Sequence, residues 1–162
     1  MSRHSVPEPG IEAEMLVREA LGLDRAQYFA ELPVLVPDER TEGLEALLAR
    51  RLAGEPLAYL TGRREFFGLN FAVTADVLVP RQETELLVEL ALEFLSRPDR
   101  SGAGASAVVA DVGTGSGAIA VSLAVNRSDA MVYATDISAA ALSVADSNAE
   151  AHCAFSYTHL TL

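Results

Sequence analysis

A short apolar run that ends in an acid and then breaks into three glycines leaves few folds open to this chain. Ala107 to Val112 reads as a strand, Gly113 to Gly117 as a glycine-rich turn and Ala118 to Asn126 as a helix. Met131 to Thr135 reads as a second strand, ending at Asp136, and Ser138 suits the cap of a further helix running to about Ala151. Strand, turn, helix and strand make the β-α-β unit of a parallel sheet, whose handedness brings both strand ends to one edge. The fold class expected is α/β.

That edge carries the chemistry. Glycine permits positive φ and lets a ligand approach the backbone closely. The helix N-terminus behind the turn offers unpaired N–H groups and a partial positive charge. Asp136, at the next strand end, can accept two hydrogen bonds from ribose hydroxyls, each worth about 1.5–3 kcal/mol. The constellation reads as an adenosine-ribose site, against the plainer alternative of a tight turn beside an exposed acid. Gly113-x-Gly115-x-x-Ala118 also satisfies the looser dinucleotide fingerprint. Asp111 puts a second carboxylate beside the turn, which suits a cationic sulfonium bearing an amino group better than a pyrophosphate. A nucleotide-dependent oxidoreductase of the NAD(P) type therefore stays open, as does a non-enzymatic adaptor whose glycine turn is structural.

The first sixty residues read as helical. Ile11, Met15, Leu16 and Ala20 share one face, and Pro33 and Pro37 interrupt the next stretch. From Thr41, Leu44, Leu47, Leu48 and Leu52 recur at helical spacing, with Arg50 and Arg51 suited to the negative end of the dipole. Gly54 and Pro56 stop that helix. After Gly62 the period changes to two: Glu65-Phe66-Phe67, Gly68 and then Leu69, Phe71 and Val73 suggest a hairpin. A further helix comes next, with Leu86, Leu87, Leu90, Ala91, Phe94 and Leu95 expected inward and Glu85, Glu89 and Glu93 outward. Residues 99–106 read as a small flexible loop.

Composition excludes several classes. Twelve Lys+Arg against 23 Asp+Glu give a net charge of -11, which argues against bare nucleic acid as a partner. The single cysteine, Cys153, allows no internal disulfide, and His4, His152 and His159 show no zinc-ligand spacing with it. No signal-peptide core and no run of eighteen apolar residues occurs, so a soluble cytoplasmic protein without a metal or membrane partner is expected.

Three ordered motifs carry a resemblance. Gly54-Glu55-Pro56-Leu57-Ala58-Tyr59-Leu60-Thr61-Gly62 leads into Glu65-Phe66-Phe67-Gly68, and then into Val77-Leu78-Val79-Pro80-Arg81-Gln82-Glu83-Thr84-Glu85. With the Asp111 to Ala120 segment and Ala134-Thr135-Asp136-Ile137-Ser138, this succession resembles the release factor glutamine methyltransferases, the PrmC/HemK family, over roughly residues 10 to 151. The resemblance implies a helical substrate-docking domain over residues 1–62, a β-hairpin linker over 63–82 and a Rossmann-like methyltransferase domain over 83–162. It implies transfer of a methyl group from S-adenosyl-L-methionine to the side-chain nitrogen of the Gly-Gly-Gln glutamine in peptide chain release factors; a monomer is expected, though no sequence feature fixes the oligomeric state. Carried onto this chain, Gly113, Thr114, Gly115, Ser116 and Gly117 wrap the cofactor, Asp136 holds its ribose and Asp111 lies near its amino group. Pro80, Arg81 and Glu83-Thr84-Glu85 lie where the linker meets the cofactor.

Two departures qualify the resemblance. The family's catalytic Asn-Pro-Pro-Tyr does not occur, since Asn70, Asn126 and Asn148 are never followed by proline. No catalytic residue is therefore expected, and the sequence reads as cut off before that motif. His152 to Leu162 does not read as the loop and third strand the family would have, and 153–162 is expected to be a non-native tail. Two strands alone would leave free sheet edges and apolar helix faces exposed.

Overall fold

The computed structural model describes residues 8–33, 35–97, 107–154 and 157–161, the last stretch as backbone only. The loop expected at 99–106 lies outside the described residues. The chain divides into two compact units, Met1–Thr61 and Gly62–Leu162.

The first unit holds α1 (Pro9–Leu21), α2 (Arg25–Ala30), α3 (Asp38–Leu52) and α4 (Leu57–Thr61). Pro9 opens α1, where a missing N–H costs nothing. Gly22 closes it at φ 69°, with the N–H groups of Gly22 and Leu23 donating to the carbonyls of Glu19 and Arg18. Asp24 starts α2 with a reciprocal capping box to Gln27. α1 packs against α3 and α4, burying Leu16 and Leu60. The apolar faces differ from the expectation: Ile11, Leu48 and Leu52 are exposed, and Leu44 and Leu47 are half-buried. The next place on the α3 inner face goes to Arg51, whose guanidinium forks onto the Glu12 carboxylate of α1 at 2.6 and 3.0 Å. Arg50 pairs with Glu55. Both cations thus have carboxylate partners beyond the helix dipole.

The second unit opens with an antiparallel hairpin, β1 (Arg63–Phe66) and β2 (Leu69–Ala72). Its turn residues Phe67 and Gly68 both lie in the left-handed region, at φ 51° and 73°, as a two-residue turn of the primed type requires. Phe66 and Phe71 are fully buried, edge to face at 6.1 Å, in one cluster with Val88, Val121 and Val132. The hairpin therefore shares the core of this unit.

A 3₁₀ turn (Gln82–Thr84) leads into α5 (Glu85–Leu95), followed by β3 (Val108–Val112), α6 (Ala118–Asn126), β4 (Met131–Asp136), α7 (Ala139–Ala151) and β5 (Tyr157–Thr161). The three strands are parallel in the order β3-β4-β5, with Val112 opposite Thr135 and Asp136 opposite Thr161. β4 is central and buries Val132 and Ala134, and α6 is buried along most of its length. This is a partial Rossmann-like α/β arrangement.

Two expectations are corrected here. α5 turns Val88 inward, flanked by the half-buried Ala91, Leu92 and Leu95, while Leu86, Leu87, Leu90 and Phe94 are exposed. Both faces of this helix are apolar, so hydrophobicity alone does not choose between them, and the face at i, i+3, i+4 and i+7 from Val88 is the packed one. The other concerns the third strand: His152 to Leu162 does not read as one, yet the backbone of Tyr157–Thr161 pairs along β4. Its Tyr-Thr-His-Leu-Thr composition suits a pleated ribbon, and the outer edge of β4 presents the unpaired backbone groups that it satisfies. Exposed apolar surface is nevertheless present, at Val108 and Val112 of β3 as well as on α5. Among the described residues no helix is long and apolar enough to cross a membrane.

Candidate functional site

The C-terminal ends of β3 and β4 lie side by side, and the turn that leaves β3 crosses the tip of β4. The N–H groups of Gly113 and Thr114 both donate to the Thr135 carbonyl, at 2.8 and 2.9 Å, which lashes the turn to β4. Gly115 N–H donates to Asp136 Oδ2 at 2.9 Å, and Gly117 N–H to the Thr114 carbonyl at 2.9 Å. The sequence predicts a turn that offers unpaired amides to a ligand. Four of its amides are instead engaged within the protein.

What the turn presents is bare backbone. Gly113, Gly115 and Gly117 all have positive φ, at 79°, 57° and 80°. Nothing lies within 4 Å of where a Cβ on Gly113 or Gly115 would stand, so their open faces admit a flat ligand. Gly117 differs: a Cβ there would meet Ala145 Cβ at 3.1 Å and its Cα at 3.2 Å. Gly117 lets the start of α6 pack tightly on α7.

Asp136 faces the turn. Its Oδ1 accepts from Ser138 N–H and its Oδ2 from Gly115 N–H, both at 2.9 Å. The Ser138 and Gly115 amides hold its carboxyl below the usual carboxylate range, so it is ionised at neutral pH. A carboxylate has about four lone-pair positions, so two remain for hydroxyl donors. Asp111, half-buried at the end of β3, accepts from Thr114 Oγ1 at 2.8 Å. Burial pushes its carboxyl up, the Thr114 hydroxyl and the Ala120 amide pull it back, and the charge of Asp136 adds to the rise. Thr114 and Ser116 are buried, the first turned to Asp111 and the second giving its carbonyl to Asn148.

The structure thus brings Asp111, Gly113, Thr114, Gly115, Ser116, Gly117 and Asp136 into one locus. Of the Arg81 motif, Glu85 holds the hairpin turn, its Oε1 accepting the Phe67 N–H at 3.0 Å. Asn148 is absent from the residues that the sequence singles out. A signal for it exists, since it is the amide on an α7 face otherwise made of Ala141, Leu142, Ala145 and Ala149.

Residues 1–62 match the PrmC N-terminal domain, and residues 84–159 match the methyltransferase small domain. Over 142 residues, 88% of this chain, the sequence is 51% identical to the release factor glutamine methyltransferase of Bordetella pertussis. The chain belongs to the release factor glutamine methyltransferase family. Relatives of the same name in Burkholderia pseudomallei and Moorella thermoacetica are 50% and 47% identical, over 88% and 89% of this chain. The chain covers 50%, 48% and 49% of these three relatives, about half the length of each. The oxidoreductase and adaptor readings gain nothing from these matches.

Proposed function

We propose that this chain carries the S-adenosylmethionine-binding part of a methyltransferase that modifies the Gly-Gly-Gln glutamine of peptide chain release factors. The observation that carries the reading is Asp136, an ionised carboxylate fixed by two amides at the mouth of a turn whose glycines have open faces. The names of the relatives support the protein substrate. In this reading residues 1–62 dock the release factor, 63–82 form the hairpin and 83–162 belong to the methyltransferase domain. The protein works as a cytoplasmic monomer.

The site's donor set fits the cofactor. Asp136 offers two lone pairs to ribose hydroxyls, and the open backbone of Gly113 and Gly115 accepts a flat adenosyl group against it. Asp111, anchored by Thr114, sets a second carboxylate where an α-amino group and a sulfonium would be attracted. Thr114, Ser116 and Gly117 hold the turn's shape. When bound, S-adenosylmethionine supplies an electrophilic methyl carbon. An amide nitrogen is a poor nucleophile because its lone pair is delocalised, so transfer needs groups that aim it. The sequence contains no Asn-Pro-Pro-Tyr to do so.

The test is equilibrium binding of S-adenosylhomocysteine, S-adenosylmethionine and NADH to the chain, with Asp136→Ala in parallel. The expected result is binding of the two adenosyl ligands, lost at least about tenfold in the variant as two charged hydrogen bonds go, and no methylation of a release factor by this chain. An unchanged dissociation constant in Asp136→Ala, or binding of NADH alone, would overturn the reading.

A further inference from the structure

Asn148 lies on α7 with 2% of its surface exposed. Its Nδ2 donates to the Ala72 carbonyl at 3.0 Å and to the Ser116 carbonyl at 2.8 Å. Its Oδ1 accepts the Ala72 N–H at 2.7 Å. One side chain thus grips both backbone groups of the last β2 residue and, with its remaining proton, the glycine turn. An apolar residue would fill the same space, so the amide's specific contribution is connection.

The connection continues beyond Ser116. The peptide group between Ser116 and Gly117 accepts from Asn148 at its oxygen and donates through its N–H to the Thr114 carbonyl. The peptide group between Thr114 and Gly115 accepts there and donates through its N–H to Asp136 Oδ2. From Ala72 to Asp136 there is therefore an unbroken line of oriented amides: hairpin edge, Asn148, two peptide planes, carboxylate. Such chains polarise one another and fix each member's orientation. The hairpin end of the line is held at two further points, by Glu85 at Phe67 N–H and by His152 Nε2 at the Asn70 carbonyl, 2.8 Å away.

We propose that Asn148 is a positioning residue that couples the hairpin edge at Ala72 to the carboxylate of Asp136, so that the docked state of the hairpin sets the affinity of the cofactor site. The coupling is reciprocal: a ligand that tightens Asp136 and the turn also tightens Ala72. The proposal rests on the cofactor reading above for its ligand, but the amide line exists without it.

The test uses S-adenosylhomocysteine and amide hydrogen exchange. In the unmodified chain the ligand should slow exchange at Gly115 and Gly117 and also at Ala72. Asn148→Asp keeps the acceptor for Ala72 N–H and removes the donors to the Ala72 and Ser116 carbonyls, and Asn148→Ala removes all three bonds. Each should weaken S-adenosylhomocysteine about tenfold, inside the roughly 2- to 30-fold span of coupling residues. Leu16→Ala, a core variant in the first unit, should lose stability without changing the dissociation constant. Ligand protection that stops at the turn, or Asn148 variants whose dissociation constants stay within about twofold of the parent, would overturn the proposal. Should the parent bind no S-adenosylhomocysteine, the cofactor reading falls. The coupling is then decided by exchange in Asn148→Asp: faster at Gly115 and Gly117 supports it, and a change confined to Ala72 refutes it.

Discussion

Gly117→Ala separates the two jobs done by the three glycines of the turn. An L-residue in the left-handed region costs about 1–2 kcal/mol, and Gly113, Gly115 and Gly117 all have φ between 57° and 80°. At Gly113 and Gly115 that strain is the whole cost, because nothing stands within 4 Å of the added Cβ. At Gly117 the new Cβ meets Ala145 Cβ at 3.1 Å and Cα at 3.2 Å, and one of those atoms is backbone. Overpacking of this kind adds about 1–3 kcal/mol, so Gly117→Ala should cost about 2–5 kcal/mol in total. For a domain of about 100 residues, 1 kcal/mol moves Tm by roughly 4–8 °C. Gly117→Ala should then melt at least about 4 °C below Gly115→Ala. Binding should run in the opposite order. Gly115→Ala plants a methyl group on the open face and should weaken S-adenosylhomocysteine more than Gly117→Ala does, measured calorimetrically well below both melting points. Equal melting temperatures would mean that α6 and α7 do not meet as closely as described. A reversed order of affinities would mean that the ligand does not lie on the Gly115 face.

Asp136→Asn should flatten the acid limb of the stability curve. The folded carboxyl titrates below the ordinary value of about 3.9, so its stabilisation is present above that value and is lost as pH falls through the folded one; urea unfolding from pH 2 to 5 checks this. Asp111→Asn should act with the opposite sign. Burial raises that carboxyl, so its contribution is full below about 3.9 and is lost as pH rises through the folded value; the variant should gain on the parent over that interval, and parallel curves would refute the assignment. In the first unit, a double-mutant cycle on Glu12→Gln and Arg51→Met should give a coupling of about 0.5–3 kcal/mol by urea unfolding, since the pair is forked and largely covered. A coupling near zero would reduce it to an ordinary surface pair.

Much of the second unit is legible in the sequence because local rules and tertiary packing agree there. The alternation around Gly68, the strand before Gly113 and the Ser138 cap each carry their own short-range signal, and each forms the element expected. α5 is legible as a helix but not in its facing, because Leu86, Leu90 and Phe94 make as good a stripe as Val88, Ala91 and Leu95. The residues gathered at the turn can be read from Asp111 to Asp136 because one β-α-β unit contains them all. How the turn's amides are used cannot, since that depends on the Thr135 carbonyl and the Asp136 carboxylate arriving from the next strand. Asn148 lies further out of reach, because its partners Ala72 and Ser116 belong to two other elements. Tyr157–Thr161 does not read as a strand because its pairing depends on the free edge of β4 rather than on any pattern inside the segment.

The bond between Ala72 and Asn148 joins residues 76 positions apart, and this sets an order of events on the ribosome. The hairpin can close its own turn early, but Phe66 and Phe71 have no finished core to enter until α6, β4 and α7 have been made. At roughly 5–20 residues per second, Ala72 waits on the order of 4–15 seconds for the side chain that secures it. Once the hairpin has left the ribosome, and until that core arrives, two phenylalanines are exposed on a bare ribbon, the kind of surface that chaperones hold. Synonymous codons that slow synthesis after the hairpin has left the ribosome and before Asn148 has done so should therefore lower the yield of folded protein more than the same delay placed before the hairpin emerges.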